Sequence, residues 1–373
     1  MKNIKYRTWI EISTKALKNN YRVIRHLLKP RVKMLGVVKS NAYGHGLAGF
    51  SQELVKLGAD WLGVDSITEA QTLRERGIKT PILVLGYTLP SNFAQAADLD
   101  AVLTLSSFEN LKLMAKSAID TRVHLKIDTG MHRQGFQLGE IQKALAIIKR
   151  SKNIRLQGIY THFAAAKNPD WSGMTQKQIR QFEQAAKLAR QINPNVIAHA
   201  SASAGAMNFS TTHYDMVRIG AALYGLWPSL ETKLSLEKRI DLMPIMSWKT
   251  IISEIKTVEK GEKIGYDFTE EMKRRSKVAV LPIGYWHGYW RALSGSFHVL
   301  IKGQKAKVLG RVSMDMVTID VTDIKGVKVG DVATLLGKQG NGEITADEMA
   351  QAANTTNYEV VTRVNPLIMK YYC

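Results

Sequence analysis

The sequence predicts an α/β protein in two parts, an N-terminal (β/α)8 TIM-like barrel over residues 1–240 and a mostly antiparallel β domain over residues 241–373. Three observations predict it. Eight short, apolar, β-branched runs recur between residues 34 and 225; stretches of helical periodicity separate most of them; and beyond residue 240 closely spaced strands with glycine turns take over. Continuous apolar strands alternating with helices indicate a parallel sheet buried on both faces. Eight such units over about 200 residues fit a closed barrel better than an open doubly wound sheet.

The elements follow in order. The opening run "RTWIEIS" (7–13), with its strand at 7–12, is short enough to join either domain. "STKALKNNYRVIRHLL" is a helix with Ser13 or Thr14 as N-cap. The barrel strands are "MLGVVK" (34–39), "WLGVD" (61–65), "PILVLG" (81–86), "DAVLTL" (100–105), "VHLKID" (123–128), "LQGIYTHF" (156–163), "VIAHAS" (196–201) and "MVRIGAALYG" (216–225). "LAGFSQELVKLG" and "TQKQIRQFEQAAKLARQI" are among the helices between them. The Pro-containing "LEKRIDLMPIMS" serves as the linker. The second part holds strands in "WKTIISEIKTVEKGEKIGY", "KVAVLPIGY", "HVLIKGQKAKVLGRVSMDMVTIDVT" and "VGDVATLLG", with one clear helix, "TADEMAQAAN".

Composition narrows the function. A 373-residue chain with 45% hydrophobic content can bury two cores. The first residues lack the apolar h-region of a signal peptide, and no segment approaches the run of about 20 apolar residues a membrane helix needs. A cytoplasmic protein is expected. The single cysteine, Cys373, excludes a disulfide framework and a cysteine metal site. The net charge of +20 raises nucleic acid as a partner, but Lys and Arg are scattered along helical faces and no base-reading motif is present.

In a barrel of this kind chemistry sits at the C-terminal ends of the strands, and polar residues of this chain gather there. Lys39 ends the first barrel strand; Lys126 and Asp128 end the fifth, with Arg133 in the loop beyond; Tyr160 and His162 end the sixth; His199, Ser201 and Ser203 follow the seventh; Arg218 lies in the eighth, before Gly220. Burying so many polar groups together without a ligand is costly. A lysine at the end of a desolvated strand can form a Schiff base with an aldehyde cofactor, and the obvious aldehyde is pyridoxal 5'-phosphate. "SASAGA" and "RIGAALYG" offer hydroxyls and backbone N–H groups for its phosphate.

These motifs resemble the alanine racemases, a fold-type III pyridoxal-phosphate family, and the resemblance covers nearly the whole chain. "VVKSNAYGHG" is similar to the family's cofactor-lysine motif, which implies that Lys39 binds the cofactor covalently and that Tyr43 touches its phosphate. "LKIDTGMHRQG" implies that Arg133 contacts the phenolic oxygen and the substrate carboxylate side, with Lys126 carbamylated in some members to hold it. "THFA" and "HASASAGA" imply His162 against the pyridine ring, His199 in the supporting network and Ser203 on the phosphate. "MVRIGAALYG" implies Arg218 facing the pyridine nitrogen, and Gly220 and Ala221 donating N–H groups to the phosphate.

"KIGYDFT" resembles the motif of the second catalytic base, implying Tyr266; "PIGYWHGY" and "NYEV" place Tyr285 and Tyr358 at the entrance, the latter also reaching the phosphate; "RVSMDMV" implies Met314 and Asp315 at the substrate. The family's second-half residues enter the partner's site, so a homodimer is implied, with alanine as substrate and D-alanine for peptidoglycan as product. The chemistry agrees: two bases on opposite faces, Lys39 and Tyr266, invert a stereocentre without moving the carbanion. An obligate donor such as Arg218 cannot protonate the ring nitrogen.

The chain departs from the family pattern at Asp267, Phe268, Trp286 and His287, the last read as an entrance or surface residue, and at Ala202 and Ser313. These bear on substrate choice, with another small amino acid such as serine as alternative. A barrel-fold decarboxylase would bring a catalytic cysteine and an acidic pyridine partner; a non-catalytic cofactor-binding protein would be a single barrel of about 230 residues. Arg218, the lack of internal cysteine and the C-terminal domain argue against both.

Overall fold

The first strand, β1 (Thr8–Ile12), stands outside the barrel: it pairs antiparallel with Met246–Ile251 and parallel with Met369–Tyr372. The computed structural model describes residues 5–168 and 172–373. The chain divides into two compact units, one of residues 1–15, 43–46 and 244–373, the other of residues 16–42 and 47–243.

The second of these units holds eight parallel strands: β2 (Lys33–Val37), β3 (Trp61–Val64), β4 (Ile82–Val84), β5 (Ala101–Leu105), β6 (Thr121–Lys126), β7 (Ile154–Tyr160), β8 (Ile197–His199) and β9 (Met216–Ile219). Each from β2 to β8 pairs with the next, and β9 returns to β2. The remaining seam, β8 to β9, is closed by two backbone bonds, Asp215 N–H to Ala198 O at 3.1 Å and Arg218 N–H to Ser201 O at 2.9 Å. The expected (β/α)8 barrel is therefore present. β3, β4 and β5 are buried at every position, which is why they read as unbroken apolar runs.

The covering helices form because their apolar residues recur at helical spacing. Ile141–Arg150 buries Ile141, Ala144, Leu145 and Ile148 and turns Lys143, Lys149 and Arg150 to solvent; each fully buried Ile or Leu contributes about 1.5–3 kcal/mol. Ile67–Glu75 and Phe108–Lys116 start on Ser66 and Ser107, whose hydroxyls accept from Glu69 N and Asn110 N.

The other unit carries β10 (Met246–Ile251), β11 (Glu254–Val258), β12 (Lys263–Ile264), β13 (Glu270–Glu271), β14 (Ser276–Leu281), β15 (His298–Ile301), β16 (Gln304–Leu309), β17 (Val317–Asp320), β18 (Val332–Gln339), β19 (Gly342–Ile344) and β20 (Met369–Tyr372). The main sheet runs β11-β14-β17-β16-β15-β18-β10-β1-β20, with β19 on β18 and β12–β13 apart. Within this sheet the β1–β20 pair is the one parallel pairing among the described residues. Alternation along β10 sends Met246, Trp248 and Thr250 inward. Trp248 is fully buried, its indole N–H 3.3 Å from Thr8 Oγ1.

One expectation is corrected here. Where one helix was expected beyond residue 240, the unit that carries β10 to β20 has two α-helices among the described residues, Ala346–Ala352 and Asn357–Thr362. The latter is six residues long and rich in β-branched residues, too short to show a period, and it starts because Thr356 caps Glu359 N.

A packing constraint gives a test. A Cβ on Gly284 would lie 2.1 Å from Ser313 O and 2.4 Å from Met314 O, whereas one on Gly139 meets nothing within 4 Å. Gly284→Ala lowers stability by about 1–3 kcal/mol in urea unfolding, and Gly139→Ala leaves the midpoint unchanged.

Candidate active site

Lys39 follows β2 after Val38, and the four residues beyond it, Ser40, Asn41, Ala42 and Tyr43, all have left-handed backbones with φ between 51° and 55°. For non-glycine residues this conformation costs about 1–2 kcal/mol each. Side chains hold the turn: Asn41 N–H donates to Glu69 Oε1 at 3.1 Å, and Asn41 Oδ1 accepts from Leu47 N–H at 2.8 Å. The Lys39 side chain is 39% exposed, and its Nζ lies 3.6 Å from Asp65 Oδ1.

At the C-terminal end of β6, Lys126 is buried, donates to Gln134 Oε1 at 2.7 Å and lies 5.4 Å from the centre of the Tyr160 ring. Burial, reinforced by the charges of Arg133, Arg218 and Lys39, lowers its amine to about 8. Arg133 is exposed. Asp128 anchors the loop that carries it, with Oδ1 accepting from the N–H groups of Gly130, Met131 and His132 at 2.9–3.0 Å. Burial pushes the Asp128 carboxyl up, but these donors outweigh it and hold the group below its ordinary range.

Arg218 on β9 organises the remainder. Its guanidinium is buried and donates to Thr161 O at 2.7 Å, Ala200 O at 2.8 Å, His199 Nδ1 at 3.0 Å and His162 Nδ1 at 3.3 Å. Tyr160 lies beneath it, its ring centre 5.1 Å from the guanidinium carbon and stacked on His199 at 4.7 Å, its hydroxyl 2.9 Å from Thr104. Burial, then the Arg218 charge, lowers His162 to about 3 and His199 well below its ordinary value, so both rings are neutral. Burial lowers Arg218 itself to about 10, which leaves it charged at neutral pH.

Ser203, in the first turn of the Ser203–Asn208 helix, accepts at Oγ from Gly220 N–H at 3.1 Å and Ala222 N–H at 3.4 Å; Ala221 opens the short helical turn between them. Ser201 instead bonds Thr212. An accessible primary amine, a hydroxyl flanked by backbone donors and a fixed guanidinium fit an aldehyde cofactor bearing a phosphate.

The other unit carries the candidate phenols. Tyr266 follows Gly265 and precedes two left-handed residues, Asp267 and Phe268, and is 67% exposed; Asp267 pairs with Arg311. Tyr285 N–H and Trp286 N–H donate to Ser313 O and Met314 O, both at 3.0 Å, which joins the Tyr285 turn to the Met314–Asp315 loop. Tyr266, Phe268, Tyr285, Trp286 and Met314 are all exposed. His287 is not a surface residue: it is buried, its Nδ1 accepts Gly284 N–H at 3.2 Å, and Asp315 lies 3.8 Å away. Tyr43 and Tyr358 meet with ring centres 6.4 Å apart, and burial raises both hydroxyls, Tyr43 to about 12.

Residues not anticipated from sequence are His124, 2.8 Å from His199, Gln134 on Lys126 and Thr104 on Tyr160. The inward alternation of "VHLKID", which exposes Lys126 to the barrel interior, places His124 there too and was the available signal.

Residues 12–228 match the family description "Alanine racemase, N-terminal domain", and residues 245–372 match "Alanine racemase, C-terminal domain". The chain belongs to the alanine racemase family. It is 39% identical over 370 residues to the alanine racemase of Leptospira interrogans, covering 97% of this chain and 95% of that one. It is 40% identical over 374 residues to that of Methanococcus maripaludis, covering 98% of each. Its structure resembles the alanine racemase of Clostridium difficile with a TM-score of 0.93 at 34% identity, covering 100% of this chain and 97% of that one. The Bacillus anthracis alanine racemase with bound L-Ala-P gives 0.92 at 33% identity, over 99% and 96%. The protein is an isomerase of this family.

The lowered Lys126 amine makes stability pH-dependent. The unfolded chain holds that proton more tightly than the fold does, so the penalty is complete below pH 8 and is relieved as pH rises from about 8 toward the ordinary 10.5. In bicarbonate-free buffer, the unfolding free energy of wild type relative to Lys126→Met rises between pH 8 and 10 and is flat below 8. A constant difference contradicts the assignment.

Proposed function

We propose that the protein interconverts L-alanine and D-alanine using pyridoxal 5'-phosphate, with Lys39 and Tyr266 as the two bases, and works as a homodimer in which Tyr266 of the partner subunit completes each site. The observation that carries this is Arg218, a buried, permanently charged donor with neutral histidines on two of its bonds.

Lys39 holds the cofactor by its amine; Ser203, with the N–H groups of Gly220 and Ala221, and the hydroxyls of Tyr43 and Tyr358 hold its phosphate. When bound, the cofactor supplies an electron sink that acidifies the α C–H of the attached amino acid. Arg218 presents N–H groups alone, so it would donate to a cofactor ring nitrogen without adding a proton to it, which would restrain the sink and favour return of the α-proton over decarboxylation or transamination. His162 accepts at Nδ1 from Arg218, so its own proton sits on Nε2. That N–H is available to the hydroxyl oxygen of Tyr266 as it exchanges a proton with the substrate. Arg133 and Met314 receive the substrate carboxylate, with Asp315 and Tyr285 beside it. The neutral fraction of the Lys126 amine is the form that carbamylation requires.

Homodimerisation is supported by the exposed apolar set Tyr266, Phe268, Trp286 and Met314, a kind of surface that soluble chains cover. L-Ala-P in the B. anthracis relative supports alanine as substrate. We assign the protein to the cytoplasm as the source of D-alanine for peptidoglycan; among the described residues no helix is long and apolar enough to cross a membrane.

Tyr266→Phe is expected to retain cofactor and lose about 10²–10⁴-fold of racemisation in both directions. The variant still exchanges the α-proton of D-alanine with deuterated solvent through Lys39, and exchanges that of L-alanine far more slowly. Borohydride reduction places the cofactor on Lys39. Near wild-type racemisation by the variant, or a label on another lysine, contradicts the proposal.

A further inference from the structure

We infer that His124 is a positioning residue for this reaction: it fixes the ring and tautomer of His199 and thereby the pose of the Arg218 guanidinium. The catalytic consequence rests on the role proposed for Arg218; the protonation pattern does not.

The pattern follows from donor counting. A guanidinium has five N–H groups and no acceptor, so His199 Nδ1, 3.0 Å from Arg218, carries the lone pair. The His199 proton is then on Nε2, which lies 2.8 Å from His124 Nδ1. Two N–H groups cannot face each other at that distance, so His124 Nδ1 accepts and its proton is on Nε2. The chain therefore runs in one direction: Arg218 donates to His199, and His199 donates to His124. Burial, then the Arg218 charge, lowers His124 to about 3, which keeps the terminal acceptor neutral.

The surrounding backbone makes room for this ring. A Cβ on Gly158 would lie 2.4–2.6 Å from three atoms of the His124 imidazole, and the β6–β7 register shifts between Val123 and His124. Trp61 and His199 flank the ring, with centres 5.4 and 5.0 Å away. Its Nε2–H meets no acceptor among the described residues, and a side chain there for packing alone would not strand a buried donor. What His124 adds is an acceptor at Nδ1. It satisfies the far side of His199, so that ring neither turns nor exchanges its nitrogens, and Arg218 keeps one partner geometry.

The test is ring ¹⁵N spectroscopy of the holoenzyme labelled on histidine, with kinetics alongside. Wild type shows His199 protonated on Nε2 alone from pH 6 to 9; protonation on Nδ1 overturns the inference. In His124→Phe the Nε2 proton loses its hydrogen-bonded downfield shift, and kcat falls by about 10–100-fold, the loss seen for orienting partners behind an active imidazole, with KM within about threefold. His124→Asn, whose Oδ1 can accept in place of Nδ1, restores the shift and most of kcat. Gly158→Ala, which displaces the ring without altering its chemistry, behaves as His124→Phe and serves if that variant does not fold. Wild-type ring signals and kcat in His124→Phe or Gly158→Ala overturn the role, as does an Asn variant no better than Phe. If wild type does not racemise alanine, the function proposal fails while the ring signals still decide the tautomer.

Discussion

The barrel interior is arranged around a buried positive charge that, among the described residues, has no carboxylate on it. Removing a guanidinium from water costs several kcal/mol unless its donors are met. Among the described residues, the Arg218 donors go to the carbonyls of Thr161 and Ala200 and to the lone pairs of two imidazoles, with the face of Tyr160 against the cation. Each partner is neutral, so the charge is solvated and not cancelled. Burial first, and this charge second, hold His162, His199 and His124 neutral, and burial, then the charges of Arg133 and Arg218, lowers Lys126. The same residue helps shut the barrel, because Arg218 N–H to Ser201 O is one of two backbone bonds across the β8–β9 seam. A side chain in that strand cannot drift without disturbing the closure.

The two residues proposed as bases share a backbone circumstance. Lys39 precedes four left-handed residues and Tyr266 precedes two, none of them glycine. Strain of this kind persists only where neighbours over-determine it, and it concentrates at functional sites. At Ser40–Tyr43 the neighbours are Asn41, Glu69 and the buried Ala42; at Asp267 it is the ion pair with Arg311. Asp267 and Phe268, departures from the family pattern, thus build the turn that presents Tyr266.

Much of this was legible in the residues. All eight barrel strands were visible because strands buried on both faces are unbroken apolar runs, and Lys39, Lys126, His199 and Arg218 stood out as polar groups at their ends. Other features were hidden for definite reasons. The left-handed turn after Lys39 has no sequence mark, since none of its four residues is glycine. The Asn357–Thr362 helix is too short for a period to show. Burial of His287 depends on Gly284 N–H and on a loop about thirty residues away, and His124 becomes meaningful only once β6 and β8 are folded against β7. Positions at a single strand end were readable, and contacts made by several elements were not.

The central claim is that Arg218 keeps its full charge while the imidazoles bonded to it stay neutral, so that it can hold a hydrogen bond but not deliver a proton. Neutron diffraction from deuterium-exchanged crystals near pH 7 tests this most directly. The account predicts deuterium on all three guanidinium nitrogens of Arg218, and none on Nδ1 of His162 or of His199. A deuteron on either Nδ1, or a guanidinium nitrogen lacking one, would contradict it.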